Sequence, residues 1–184
     1  LEGIDLTLFG EGGVQYAITA EKAQFNPETK EAEAIGGVTL RSSQGIELKT
    51  STLRFDGASA HNKVPVEFKV GAWTGRAGGI RLEVAEQALR LTDGVKAEMK
   101  SPNPAESASL SASEATSRQK TGELIFSGNV QMTRQSEKAS AETISATTRP
   151  GDRTLSALTG EGNISIRLAG ASSFAAQAGD ELIG

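Results

Sequence analysis

One short pattern recurs along this chain of 184 residues and limits what it can fold into. Its first half is a small or apolar residue, two spacers and another small or apolar residue. It appears at Ala20/Ala23, Thr50/Leu53, Ala77/Ile80, Ala112/Ala115, Ala141/Ile144 and, incompletely, Ala175/Ala178. The answering half is an apolar-x-apolar step, usually after glycine. It appears as Gly37-Val38-Thr39-Leu40, Val64-Pro65-Val66-Glu67-Phe68, Gly94-Val95-Lys96-Ala97, Gly128-Asn129-Val130-Gln131-Met132 and Gly162-Asn163-Ile164-Ser165-Ile166. The steps from Val38 to Val66, Val95, Val130 and Ile164 are roughly 28 to 35 residues, a spacing that marks stacked supersecondary units. A stack of similar strand pairs has no obvious catalytic centre, so its interior groove is the expected working part.

The units are strands. Val14, Tyr16, Ile18 and Ala20 alternate with Gln15, Ala17 and Thr19, and Ile46 and Leu48 with Glu47 and Lys49. Leu53 and Phe55 flank Arg54, and Val64, Val66, Phe68 and Val70 share one face. The same alternation covers Ile80, Leu82 and Val84, then Leu89 and Leu91, then Val95, Ala97 and Met99. In the second half it returns at Leu124 and Phe126, at Val130 and Met132, and at Ile164, Ile166 and Leu168. Turn residues separate the runs: Asn26-Pro27-Glu28-Thr29, Gln44-Gly45, Asp56-Gly57, Asp93-Gly94, Thr121-Gly122 and Pro150-Gly151-Asp152. Residues 83–91 have a helix-forming composition yet fill a strand-turn-strand slot of the repeat. Residues 101–106, with Pro102 and Pro104, read as a loop because proline removes ladder donors. The prediction is an all-β, antiparallel meander, a twisted jellyroll or folded-sheet trough over 1–184. A division into 1–103 and 104–184 is the alternative.

Composition narrows the function. Aromatics are 4% of residues, so the core is built of Val, Ile, Leu and Ala. The net charge is −4, with Lys and Arg scattered among acids and no basic stripe, which argues against nucleic acid as a partner. There is no Cys, hence no disulfide and no thiolate site. No apolar run approaches the roughly 18 residues that span a bilayer, and no signal peptide is present. The start at Leu1 rather than Met is the one expected of a processed or trimmed chain, and whether an anchor or signal preceded it stays open.

Candidate catalytic motifs fail in turn. Gly10-Glu11-Gly12-Gly13 lacks the Lys-Ser/Thr ending and following helix of a phosphate loop, and reads as a hairpin turn. His61 is the only histidine, so a zinc site is not expected and a Ser/His/Asp triad has no second choice of base. Carboxylate pairs at Glu31/Glu33 and Asp180/Glu181 read as outward strand residues, and sugar platforms are scarce. Asn163-Ile164-Ser165 fits a glycosylation sequon, but a strand reading suffices. No enzyme, metal or cofactor is expected.

Several segments carry a resemblance. The run from Tyr16 through Ala23, Gly37-Val38-Thr39-Leu40, the run from Gly45 through Asp56, and Leu91 through Val95 are similar to the OstA-like family of lipopolysaccharide-transport proteins. Its members include LptA, LptC and the amino-terminal part of LptD. The stretch from Leu1 to Met99 most resembles LptC, through a Gly-Gly-x-x-Tyr strand leading into the Ala-x-x-Ala step. Ala112 to Ile166 is more generically OstA-like, as in LptA.

The resemblance implies a periplasmic trough holding acyl chains between two sheets, with the sugar head group outside. It implies lipopolysaccharide as ligand, and partner Lpt jellyrolls joined by edge-strand pairing. An LptC-like role adds an inner-membrane ABC transporter and an amino-terminal anchor; LptA-like and LptC-like roles stay open. The expected lining is Tyr16, Ile18, Phe25, Val38, Leu40, Leu48, Leu53, Phe55, Val66, Phe68, Ile80, Leu82, Leu91, Val95, Phe126, Val130 and Ile164. Two readings compete with it: a structural or adhesive β-solenoid with a dry core, and a carbohydrate-binding jellyroll using Trp73 and Tyr16.

Overall fold

The computed structural model describes residues 2–100, 107–148, 155–167, 174–175 and 182–183. The loop 101–106, the turn at Pro150-Gly151-Asp152, Leu168, Ala178 and the pair Asp180/Glu181 lie outside the described residues. Among the described residues the fold is antiparallel β, with one 3-10 turn at Glu11–Gly13. The chain divides into two compact units, Leu1–Thr92 and Asp93–Gly184.

The first unit contains β1 (Glu2–Phe9), β2 (Gln15–Asn26), β3 (Glu31–Ser42), β4 (Ile46–Phe55), β5 (Ser59–Asn62), β6 (Val66–Val70), β7 (Trp73–Ala77), β8 (Gly79–Glu83) and β9 (Ala88–Thr92). The strands are joined by hydrogen bonds into one sheet. The long strands β2, β3 and β4, whose ladders shift register midway and whose outer partner changes from β6 to β5, divide it into two parts, each taken below as a sheet. One sheet takes β1, the early part of β2, the late part of β3, the early part of β4, then β6 and β7. Its inward row runs Leu6, Ile18, Leu40, Leu48, Phe68 in register. The other sheet takes the remaining parts of β2, β3 and β4 with β5, β8 and β9. Its inward row runs Phe25, Ala32, Phe55, Ala60, Leu82, Leu89. Residues 83–91, despite their helix-forming composition, make the end of β8, a turn and β9. Pairing on both sides outweighs a weak local preference.

The corners explain the repeat. In β2 the inward side passes from Ala20 to Ala23, and in β4 from Thr50 to Leu53. A step of three flips the alternation of a strand, which keeps apolar side chains inward only if the strand bends between them. In β3, running the other way past the same corner, the step is from Ala34 to Val38. Gly36 and Gly37 form a bulge there, with φ of 80° and 53°. Glu21 of β2 lies so close that a Cβ on Gly36 would stand 2.5 Å from its Oε2. The Ala-x-x-Ala phrase and the Gly-x-apolar phrase are thus the two sides of one corner.

The second unit repeats the scheme with β10 (Val95–Met99), β11 (Ala108–Ala112), β12 (Glu114–Arg118), β13 (Glu123–Arg134), β14 (Glu137–Thr148), β15 (Leu155–Glu161), β16 (Ser165–Arg167), β17 (Phe174–Ala175) and β18 (Leu182–Ile183). Three-residue steps occur at Ala112/Ala115 and Ala141/Ile144. Four-residue steps pass through Gly128-Asn129 (φ 78° and 51°) and Gly162-Asn163 (φ 67° and 49°). Inward rows align Ala97, Leu110, Met132, Ala139 and Ile166, and separately Ala115, Phe126 and Ile144. The sequon residue Asn163 is part of this corner, its side-chain amide donating to Glu142 Oε1 at 2.6 Å.

The turns within the described residues are those the sequence predicts. Asn26 Oδ1 accepts from the backbone of Glu28 and Thr29 at 3.0 and 3.3 Å. Gly45, Gly57, Gly94 and Gly122 all take positive φ.

Candidate functional site

The interior of each unit is the candidate site, because only there do the sequence-predicted residues meet. Of the seventeen, fifteen are buried. In the first unit Tyr16, Ile18, Val38, Leu40, Leu48, Val66 and Phe68 line one sheet, and Leu53, Ile80, Leu82 and Leu91 the other. Val95, Phe126, Val130 and Ile164 are buried in the second unit. Phe55 is half-buried. Phe25 is 62% exposed, at the start of its inward row on the outermost strand of its sheet. Leu6, at the start of the other inward row, is 40% exposed. The leading ends of both inward rows of the first unit thus present an exposed apolar side chain.

Sequence reasoning omitted other members of the same lining. Ile46, Leu89 and Ala60 are buried in the first unit, and Leu110, Ala141 and Ile144 in the second. Ile46 and Leu89 stand in visible alternations. Ala60 and Leu110 sit in polar-looking stretches, where a single apolar residue gives no periodicity to read.

The outer faces are charged and paired. Arg41, Glu47 and Lys69 lie across successive strands, as do Lys49, Glu67 and Arg76. Ion pairs join Arg41 to Glu47 at 3.4 Å, Arg76 to Glu67 at 3.6 Å and Arg54 to Glu33 at 3.0 Å. The hydrogen bond from Arg41 holds the Glu47 carboxyl below its ordinary range. Such exposed pairs add little stability, but they mark these faces as the solvent side.

Across the far end of the first unit, turns from the two sheets touch. Gln87, buried in the β8–β9 turn, donates through Nε2 to the carbonyl of Glu11 at 2.6 Å, a contact spanning 76 residues of sequence. Gly10 lies beneath it, where a Cβ would stand 3.1 Å from the Val84 carbonyl oxygen and 3.3 Å from the Tyr16 ring. The Gly10–Gly13 segment is thus a hairpin turn with a second task, latching one sheet to the other. Nothing local in the sequence signals that task. Burial pushes the Tyr16 phenol above its ordinary range.

His61 does meet a serine and an aspartate. Asp56 Oδ2 accepts the Ser59 hydroxyl at 2.9 Å and lies 3.7 Å from His61 Nδ1. The order is wrong for nucleophilic catalysis, since the serine gives its proton to the carboxylate and is completely buried. Asp56 also accepts from the backbone of Ser59 and Ala58, at 2.8 and 3.1 Å, and these bonds bring its carboxyl down to about 2. The cluster is a turn lock. The exposed aromatic platform of a sugar-binding jellyroll is not formed either, because Tyr16 is fully buried.

With this geometry in place, comparison with known proteins assigns the chain. Residues 1–100 match the family described as lipopolysaccharide-assembly, LptC-related, and residues 109–178 match the LptA/(LptD N-terminal domain) LPS transport family. The chain belongs to the LptC-related family of lipopolysaccharide-assembly proteins, extended by a segment of the LptA/LptD amino-terminal kind. It is therefore a component of lipopolysaccharide transport. No curated protein matches it in sequence. Among solved structures it is similar to LptH from Pseudomonas aeruginosa, the LptA-homologous periplasmic component of the lipopolysaccharide transport device. That likeness has 9% identity and a TM-score of 0.38, over 84% of this chain and 94% of the other.

Proposed function

We propose that this protein is a periplasmic conduit for lipopolysaccharide, holding acyl chains between the two sheets of each unit and passing them along by end-to-end contacts. The observation that carries this reading is the pair of inward apolar rows in each unit, backed by charged outer faces. Acyl chains and an aliphatic lining exchange apolar contact for apolar contact, and each CH₂ kept from water contributes about 0.8 kcal/mol.

The two matched segments support a combined role. The LptC-like part serves an inner-membrane ABC transporter, and the LptA-like part serves transfer toward the outer membrane. Strand β1, with a partner on one edge in its unit, offers its other edge to a neighbouring Lpt jellyroll. Among the described residues no helix is long and apolar enough to cross a membrane.

The test is site-specific photo-crosslinking in a Gram-negative host. Crosslinkers at Phe55 and Phe68 are expected to capture lipopolysaccharide. Labelling confined to outward positions such as Lys49 or Glu67 would sink the conduit reading.

A further inference from the structure

Two buried side-chain polar atoms of the first unit, the Tyr16 hydroxyl and Asn62 Oδ1, have no hydrogen-bond partner among the described residues. The Asn62 amide is still held through Nδ2, which donates to Thr50 Oγ1 and the Thr52 carbonyl, whereas the fully buried Tyr16 side chain has no such second bond. It lies on the inward row of β2 opposite Ser42, whose Oγ is taken up by the backbone amide of Gln44 at 3.0 Å. Its ring is held against the backbone of Gly10. Val14 and Ile18, its inward neighbours on the chain, are buried and apolar. A phenylalanine would fill the same space without stranding a donor. Buried polar groups are ordinarily paired, and an unpaired one bears the full cost of its lost hydration. The hydroxyl is thus a fixed donor inside a chamber that accepts acyl chains on the reading above.

The chemistry of a matching ligand is narrow. The inward rows of the first unit carry no Lys or Arg among the described residues, so a sugar phosphate finds no counter-charge there. A neutral phenol suits a neutral acceptor. The strongest neutral acceptor common to acyl chains is the carbonyl oxygen of the ester or amide linkage, which itself needs a donor once it leaves water.

We propose that the Tyr16 hydroxyl donates a hydrogen bond to the linkage carbonyl of a bound acyl chain and so sets the depth at which chains seat in the first unit. This rests on the conduit reading. Tyr16 is the only tyrosine, so its hydroxyl is readable by itself. The full chain, labelled with ¹³Cζ-tyrosine, is titrated with detergent-dispersed lipid A and with an analogue whose acyl linkages are replaced by alkyl ethers; Tyr16→Phe is compared in parallel.

The expected result is a shift of the single ¹³Cζ resonance with lipid A and not with the ether analogue. Tyr16→Phe should bind lipid A about fivefold more weakly, matching one neutral hydrogen bond, and show no preference between the two lipids. Without lipid it should melt no lower than the parent. An unmoved resonance in a lipid-bound complex, or equal affinity of parent and variant, overturns the proposal and leaves the conduit reading intact. Failure of the parent to bind either lipid overturns both.

Discussion

At the scale of single residues, two positions show how much structure a side chain or its absence can hold. Asp56 collects two backbone amides and a buried serine hydroxyl, so its folded pKa of about 2 lies below the unfolded value near 3.9. A depressed carboxylate contributes stability that is present above the unfolded pKa and lost as pH falls through the folded one. Acid unfolding of the parent should therefore steepen between about pH 4 and pH 2, and Asp56→Asn should flatten that limb. A limb of unchanged slope in denaturation followed by pH would remove Asp56 from this role. Gly128 is the counterpart at a corner: its φ of 78° disfavours any side chain, and a Cβ would stand 2.5 Å from Ser113 Oγ. Gly57 has a similar φ of 91° but nothing within 4 Å. Both alanine variants should lose about 1–2 kcal/mol to the left-handed backbone. Gly128→Ala should lose more, and chemical denaturation curves of the two separate the contact from the conformation. The turn glycines were legible in the sequence from their Asn and Asp neighbours. The Ser113–Gly128 contact was not, because it joins two strands.

At the scale of elements, the corner is the unit of design. The sequence displayed both of its phrases, a step of three and a step of four, and predicted strands from them. It did not reveal that the phrases face each other, since the pairing of Ala20–Ala23 with Gly36–Val38 depends on register across a turn. The latch was hidden for the same reason: Gln87 and Glu11 are 76 residues apart, and neither breaks a local pattern. Gln87→Leu removes the hydrogen bond that joins the two turns. It should destabilise by about 0.5–1.5 kcal/mol, with faster amide exchange over the Glu11–Tyr16 stretch than elsewhere in β2. Uniform exchange across β2 in that variant would mean that the turns close without this bond.

At the scale of the whole molecule, two successive units repeat one wall. Burial was foreseen wherever alternation was unbroken, as at Ile18, Leu40 and Leu48. The exposure of Phe25 was not, because alternation assigns a residue to a face and says nothing of whether its strand is outermost. If the second unit carries lipid as the first does, crosslinkers at Phe126 and Val130 should capture lipopolysaccharide about as well as one at Phe68. Capture in the first unit alone would make the later strands a spacer. The corners also govern how such a wall can lengthen. Because neighbouring strands round the bend with steps of three and four in turn, a single added strand would set two like steps side by side and throw its inward residues to the solvent. Growth by whole hairpins keeps the alternation, so a lineage of these proteins should differ in length by even numbers of strands.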